Sequence, residues 1–366
     1  MANNSIPWIE KYRPKKLNEI TQNDSLLDLF KNIITTGNIP HMLFYGPPGT
    51  GKTSSILAIC RELFGKHFSD RTIEFNASDD RGINAVRDRV SHEAKKYVSE
   101  IVNEDGTVIP AYKIIILDEA DSMTDEAQDA LRVPIEETSS VTRFCFICNY
   151  ISKITDAIKS RCSRVYFKKL SDECMITKLE EIAAKESMDL STNIHKTIIN
   201  ISGGDMRKAI MILQNVKYLY DFKKLQSKKL SDMTISELYN ICPNSTHKYT
   251  LDITTSDIYD ISANINNETA IQIIIDAVQC NSIVQISLLS KKIIGMGYPI
   301  DNILLRLNDI ILLSTDLTNI QKAKIFKYTT KILFKIKECA NEYIQLLDYL
   351  SCIYSISNNK NTHLYD

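Results

Sequence analysis

No stretch of the 366 residues is both long and apolar enough to cross a bilayer. The opening segment Met1 to Lys16 is polar and basic without an apolar core, so a secretory signal is not expected. An excess of charge of one sign is missing too. The net charge of −1 removes any global attraction for nucleic acid, so binding to it requires basic residues gathered on one face. Metal-ligand spacing is absent: the nine cysteines are scattered and odd in number, which reads as reduced thiols in an intracellular compartment. Cys145 and Cys148 form one CxxC inside the apolar run Phe144 to Ile147, with no second CxxC or histidine pair to complete a site. They read as strand cysteines. Internal repeats are lacking as well, and composition is otherwise ordinary for a globular chain, with 44% hydrophobic and 24% charged residues.

The strand signals are confined to one region. Between residues 38 and 168, short apolar runs alternate with helical patterns, the mark of an α/β domain with a parallel sheet. The runs are His41 to Tyr45, Thr72 to Asn76, Tyr112 to Leu117, Phe144 to Cys148 and Arg164 to Phe167. After Leu170 the strands stop. Ser171 can cap a helix to about Lys185 and Ser191 another to Ile201, and Gly203-Gly204-Asp205 breaks the chain and recaps it. The helix that follows carries Met206, Ala209, Ile210 and Leu213 on its apolar face. A lysine-rich stretch from Asp221 to about Asn244 reads as a weakly packed connection. From Leu251 onward only Gly295, Gly297 and Pro299 interrupt a mostly helical pattern. There the series Ile332, Ile336, Cys339, Tyr343, Leu346, Leu350 and the shorter series Leu304, Leu307, Ile311 make stripes of helical period, suited to a bundle core or an oligomer seam.

Gly46-Pro47-Pro48-Gly49-Thr50-Gly51-Lys52-Thr53 satisfies GxxxxGK[ST] at each fixed position. An apolar run precedes it and a helical pattern follows, so loop amides and a helix N-terminus can face one anion. In that setting Lys52 reaches the β- and γ-phosphates of a nucleoside triphosphate, and the Thr53 hydroxyl holds Mg²⁺. Ile114-Ile115-Ile116-Leu117-Asp118-Glu119-Ala120-Asp121 has the shape of a Walker B strand, with acidic groups at the carboxyl end where α/β sheets bind ligands. Asp118 is expected at Mg²⁺ and Glu119 at the attacking water. The letters Asp-Glu-Ala-Asp also occur in RNA helicases, but those carry a second strand-containing domain of the same size, and this chain turns helical after residue 170.

Asn149 follows a strand and is either a polar contact to the γ-phosphate or a turn residue. Arg161, in Ser160-Arg161-Cys162, has a cis carboxylate as its commonplace partner. Arg207 is in the first turn of a helix, a poor place for a cation unless an anion is near.

Together these residues resemble the small subunits of replication factor C, the AAA+ sliding-clamp loader of eukaryotes, archaea and some large DNA viruses. The likeness runs to about residue 220. It includes Trp8-Ile9-Glu10-Lys11-Tyr12-Arg13-Pro14-Lys15, similar to a box near the adenine, and Asn76-Ala77-Ser78-Asp79-Asp80-Arg81-Gly82-Ile83. The resemblance implies an α/β AAA+ module (a parallel five-stranded P-loop sheet plus a small helical lid), followed by an all-α collar. The corresponding domains are residues 1–168, 169–243 and 244–366.

It further implies ATP and Mg²⁺ as cofactors, with Tyr12 and Arg13 at the nucleotide. Asn149 becomes sensor 1, Arg207 sensor 2, and Arg161 an arginine finger reaching a neighbour's ATP. The implied partners are the other subunits of a heteropentamer, a ring-shaped clamp and a primed DNA junction; the implied place is a nucleus or viral replication site. For DNA, Arg81 and Arg87 are the candidates around the helix from Ile83 to Tyr97, with Arg89 beside them. Where the family continues Ala-Leu-Arg-Arg-Thr, this chain reads Ala130-Leu131-Arg132-Val133-Pro134, and proline kinks or ends a helix. Another AAA+ motor, or an ATP-binding scaffold without turnover, is the alternative reading.

Overall fold

The computed structural model describes residues 6–20, 24–77, 83–102, 108–231 and 253–357. The chain divides into two compact units, Met1–Lys217 and Tyr218–Asp366. In the first unit, β1 (Met42–Tyr45), β2 (Thr72–Asn76), β3 (Lys113–Asp118), β4 (Thr142–Cys148) and β5 (Ser163–Tyr166) form one sheet. Its spatial order is β2-β3-β4-β1-β5, and every pairing is parallel.

A parallel sheet is covered on both faces, and alternate residues along a strand serve opposite faces. Ile114 and Ile116 join Met42 and Phe44 in one core with Phe30 and Ile33 of helix Asp24–Thr36 and with helix Lys52–Phe64. Ile115 and Leu117 join Leu43 and Phe146 in the other, with Val90 of helix Ile83–Ala94 and Ala127 of helix Asp125–Ala130. This is why β3 is an uninterrupted apolar run. All five expected strands are present within one or two residues of their sequence bounds. A two-stranded antiparallel pair, Ile101–Val102 with Val108–Ile109, was not expected, since strands of two residues leave no periodic signal.

Helix Asp172–Lys185 is capped by Ser171, whose hydroxyl accepts from the Cys174 amide, and helix Thr192–Ser202 ends on Gly203 at φ +64°. The next helix, Met206–Ser231, corrects one expectation. The stretch from Asp221 to Ser231 is helical rather than a connection, because no glycine or proline interrupts a run of good helix formers. The remainder of that stretch lies outside the described residues. Near the sheet, the proline departure has the expected effect: helix Asp125–Ala130 stops, and a second helix, Arg132–Glu137, begins with Pro134 in its first turn, where a missing amide is tolerated.

The described residues of the second unit hold helices and turns without a strand: after the end of helix Met206–Ser231 come Thr255–Ile261, Asn267–Gln279, Ile283–Ile294, Ile300–Leu313, Asn319–Lys337 and Glu342–Ser357. Leu304, Leu307 and Ile311 are buried in its core, as their spacing implies. The longer stripe belongs to two helices. The chain breaks between Lys337 and Glu342, with Cys339 exposed at φ +62°, and Ile332, Leu346 and Leu350 meet in the core across the turn. A pattern with steps of three and four does not reveal a short turn that preserves the phase. No helix among the described residues is long and apolar enough to cross a membrane.

Candidate active site

The strand order makes β1, β4 and β3 consecutive neighbours, so the segments leaving their carboxyl ends are adjacent. These segments are the glycine-rich loop, the Asn149 turn and the acidic Asp118–Asp121 turn. The loop's backbone requires glycine at two points. A Cβ on Gly46, at φ +147°, would lie 2.2 Å from the Phe167 carbonyl oxygen. One on Gly49, at φ +70°, would lie 1.8 Å from Asp205 Oδ1. Helix Lys52–Phe64 then starts on Gly51 with no side-chain cap, which leaves its first-turn amides for an external acceptor.

Lys52 is only 7% exposed. Its Nζ donates to the Gly46 and Pro47 carbonyls, each at 2.8 Å, and to Asn149 Oδ1 at 2.9 Å. Burial, then repulsion from the Arg207 guanidinium, pull its pKa below the usual lysine value, against a smaller opposing pull from Asp118. Two cations facing one recess are a reason for an anion to bind there. The Thr53 hydroxyl donates to Asp118 Oδ2 at 2.7 Å, and Asp118 Oδ1 accepts the Glu119 amide at 2.8 Å. A hydroxyl and a carboxylate converging beside a phosphate loop fit Mg²⁺, which takes one or two protein oxygens and fills its octahedron with phosphate oxygens and water. Glu119 is exposed and left-handed at φ +55°, a conformation uncommon outside glycine and concentrated at functional sites.

A recess of about 70 Å³ is lined by Lys52, Thr53, Asp118, Glu119, Asn149 and Arg207. A larger cavity of about 400 Å³ shares Gly49, Thr50, Gly51 and Arg207 with it and adds Tyr12, Arg13 and apolar Ile9, Leu170, Met206 and Ile210. Glu10, Glu19 and Lys178 also line it, so a phosphate-loop recess adjoins a larger cavity of mixed apolar and charged lining, an outline suited to a nucleotide. Tyr12 donates its hydroxyl to Glu186 Oε1, Lys11 forms an ion pair with the same oxygen, and the Trp8 amide donates to Gln214 Oε1 at 3.1 Å. Burial raises Glu186, but the bonds from Lys11 and Tyr12 outweigh it and hold the carboxyl below its usual range. Arg13 pairs with Glu10 at 3.4 Å.

Asn149, Arg207, Tyr12 and Arg13 are thus brought to the loop, with Pro48 also at its rim. Arg161 is not. It precedes β5, at the amino edge of the parallel sheet, whereas the phosphate loop leaves β1 at the carboxyl edge. Its Nε donates to Glu136 Oε1 at 2.8 Å and its Nη1 to the Ala157 carbonyl at 2.8 Å. Arg81 lies outside the described residues; Arg87 is placed by its backbone on helix Ile83–Ala94. Arg89, on the same helix, stacks its guanidinium 5.6 Å from the Phe75 ring centroid.

Asp205 recaps the chain as its sequence position implies: its Oδ1 accepts the amides of Arg207 at 2.8 Å and Lys208 at 3.3 Å, capping the helix that carries Arg207. Sequence reasoning missed two other supporting residues. Glu186 anchors the segment around Tyr12. Fully buried Gln128 donates to the Lys153 carbonyl at 2.9 Å and accepts the Thr155 amide at 2.8 Å, joining the acidic turn's helix to the segment after Asn149. Neither of these two carried a local signal, whereas Asp205, directly after two glycines, did. Cys145 and Cys148 are buried on β4, and burial pushes the Cys148 thiol up to about 12.

Residues 42–170 match the family described as AAA, ATPase family associated with various cellular activities. A replication factor C small subunit of Acanthamoeba polyphaga mimivirus is 64% identical over 356 residues, covering 97% of this chain and 98% of that one. The chain belongs to the replication factor C small-subunit family. Replication factor C subunit 2 of Schizosaccharomyces pombe is 40% identical, covering 96% of this chain and 95% of its own. Subunit 4 of Arabidopsis thaliana is 38% identical, covering 95% and 94%. The AAA domain of this replication factor C subunit is an ATPase domain and binds nucleotide, and the phosphate loop and acidic turn described above lie within it.

Proposed function

We propose that this chain is an ATP-hydrolysing subunit of a clamp loader that opens a ring-shaped sliding clamp and places it on primer–template junctions during DNA replication. Membership of the replication factor C family supports the role. The observation that carries the mechanism is a division of labour. Lys52, Thr53, Asp118, Asn149 and Arg207 meet at one recess, while Arg161 is at the opposite edge of the sheet. β5 spans four residues, and at ~3.3 Å per residue the edges are too far apart for Arg161 to reach its own site.

In this reading the triphosphate lies along the loop amides from Gly46 to Thr53, and the base fills the cavity beside Tyr12, Arg13 and Met206. Mg²⁺, bound by Thr53 and Asp118, supplies charge neutralisation on the phosphate oxygens. Glu119 orients and polarises the attacking water, Asn149 holds the γ-phosphate end through its amide, and Lys52 and Arg207 stabilise the developing charge. Arg207 leads a lid of residues 169–243, so one phosphate can bias the lid's position. Residues 244–366 form the collar of a heteropentamer. Arg161 completes a neighbour's site in trans, which makes hydrolysis depend on assembly. Arg81 and Arg87 contact DNA phosphates, giving affinity without sequence preference. The reading places the protein in a nucleus or at a viral replication site.

The test is ATP-dependent delivery of clamp to a primed template by the assembled complex. Glu119→Gln in this chain is expected to leave ATP binding intact and reduce turnover of the complex. Unchanged turnover would favour a scaffold subunit that binds ATP without hydrolysing it, and a stable homohexamer would favour another AAA+ motor.

A further inference from the structure

The guanidinium of Arg161 is engaged within its own chain. Nε donates to Glu136 Oε1 at 2.8 Å, and Nη2 grips the same oxygen. Nη1 donates to the Ala157 carbonyl at 2.8 Å and to Ser160 Oγ at 3.1 Å. The Arg161 bond holds the Glu136 carboxyl below its usual range, so the carboxylate is charged at neutral pH. A phosphate needs the same fork of donors that the carboxylate occupies, and a carboxylate beside it would repel the incoming anion. Glu136 also has an alternative partner: Arg132, one turn earlier on the same short helix, places its Nε 3.6 Å from Oε1. The side chains of Arg132 and Glu136 are 59% and 51% exposed, against 23% for Arg161. The carboxylate is therefore free to swing on the surface, while the finger is tethered through Nη1.

We propose that Glu136 is a positioning residue for hydrolysis at the neighbouring subunit's site, holding Arg161 parked until a bound triphosphate displaces it onto Arg132. The inference rests on the trans role of Arg161 proposed above. Parking makes engagement of the finger a competition between a carboxylate in cis and a γ-phosphate in trans. It sets how much bound ATP is needed to recruit the arginine, and it leaves the chemical step itself unaltered. It also keeps an unpaired guanidinium from attracting stray anions before subunits meet.

The experiment uses the complete complex, in which only the neighbouring subunit that receives Arg161 retains its phosphate-loop lysine, and measures its steady-state ATP hydrolysis on primed DNA. Glu136→Gln keeps the side chain's size and removes the competing charge. It is expected to lower the ATP concentration for half-maximal rate about two- to fivefold, the range for an exposed ion pair, with the maximal rate unchanged. Arg132→Gln removes the alternative partner and is expected to raise that concentration by a similar factor. A fall in maximal rate for Glu136→Gln would overturn the proposal by making the carboxylate a brace of the engaged finger, and no change in either variant would make the pair a surface contact without function. Arg161→Ala separates the two levels. If it leaves the neighbour's hydrolysis untouched, the trans reading has failed; if it abolishes hydrolysis while the Glu136 and Arg132 variants behave as wild type, only the parking has failed.

Discussion

Asp121 Oδ2 accepts the backbone amides of Asn149, at 3.2 Å, and of Tyr150, at 3.3 Å. This ties the turn after β4 to the turn after β3. Asn149 in turn accepts from Lys52 at 2.9 Å, so a single carboxylate outside the phosphate contacts sets where the amide meets the lysine.

Replacing Asp121 by Ala frees both amides and lets the Asn149 turn drift. Since a displacement of about 1 Å at a reacting group costs up to ~100-fold, kcat of the assembled complex is expected to fall about 10- to 100-fold. ATP affinity, assigned in the proposed reading mainly to the loop amides and Lys52, should change little. Steady-state kinetics separate the two, and a change confined to KM would refute the positioning role.

Gly46 and Gly203 make a matched pair for substitution by alanine. At Gly203, φ is +64° and a Cβ meets nothing within 4 Å, so the cost is the left-handed backbone alone, about 1–2 kcal/mol. At Gly46 a Cβ would collide with the Phe167 carbonyl oxygen, a backbone atom that cannot rotate away. Gly46→Ala should lower thermal stability and abolish nucleotide binding, whereas Gly203→Ala should lower stability and keep binding. Thermal melts with and without nucleotide give both readings.

The Tyr12 hydroxyl bond to Glu186 holds the segment that walls the cavity proposed for the base. Tyr12→Phe deletes a bond to a charged, partly buried acceptor, worth about 1–2 kcal/mol. KM for ATP should rise roughly tenfold, with kcat within about twofold of wild type. Equal losses in both would mean that the hydroxyl acts on the chemical step.

His41 gives a pH dependence of definite sign. Burial, then the Arg143 charge, lower its pKa to about 4, and its Nδ1 accepts the Phe144 amide at 3.1 Å. The unfolded chain takes up a proton near pH 6.5 while the folded chain resists until about pH 4, so stability falls as pH drops through that window. Because the ring is only half-buried, solvent screening reduces the loss to roughly 2 kcal/mol. His41→Asn keeps a hydrogen-bond acceptor and should flatten the acid limb of stability measured by denaturant titration; an unchanged limb would assign it to other groups.

The sheet was legible because strands buried on both faces leave unbroken apolar runs. Ile114 to Leu117 is such a run, and its end at Asp118 is also where the site begins. The phosphate loop was legible because only a few residue types tolerate its backbone. What stayed hidden depends on side chains meeting across long sequence separations. Glu186 with Tyr12 and Glu136 with Arg161 are ordinary polar and charged residues until folding brings them together. Phase-preserving breaks were hidden as well: the turn at Cys339 keeps the apolar rhythm of the helices on either side. From Asp221 to Ser231 the polar composition hid the continuation of the preceding helix.

The central claim is that the ATP site gathered around Lys52 and Asp118 belongs to an interface between subunits. Comparing ATP turnover of the isolated chain with that of the complete complex on primed DNA and clamp tests it most directly. The account predicts a rate for the isolated chain lower by about 10³-fold or more, the contribution of an arginine supplied in trans. An isolated chain that hydrolyses ATP as fast as the complex would contradict it.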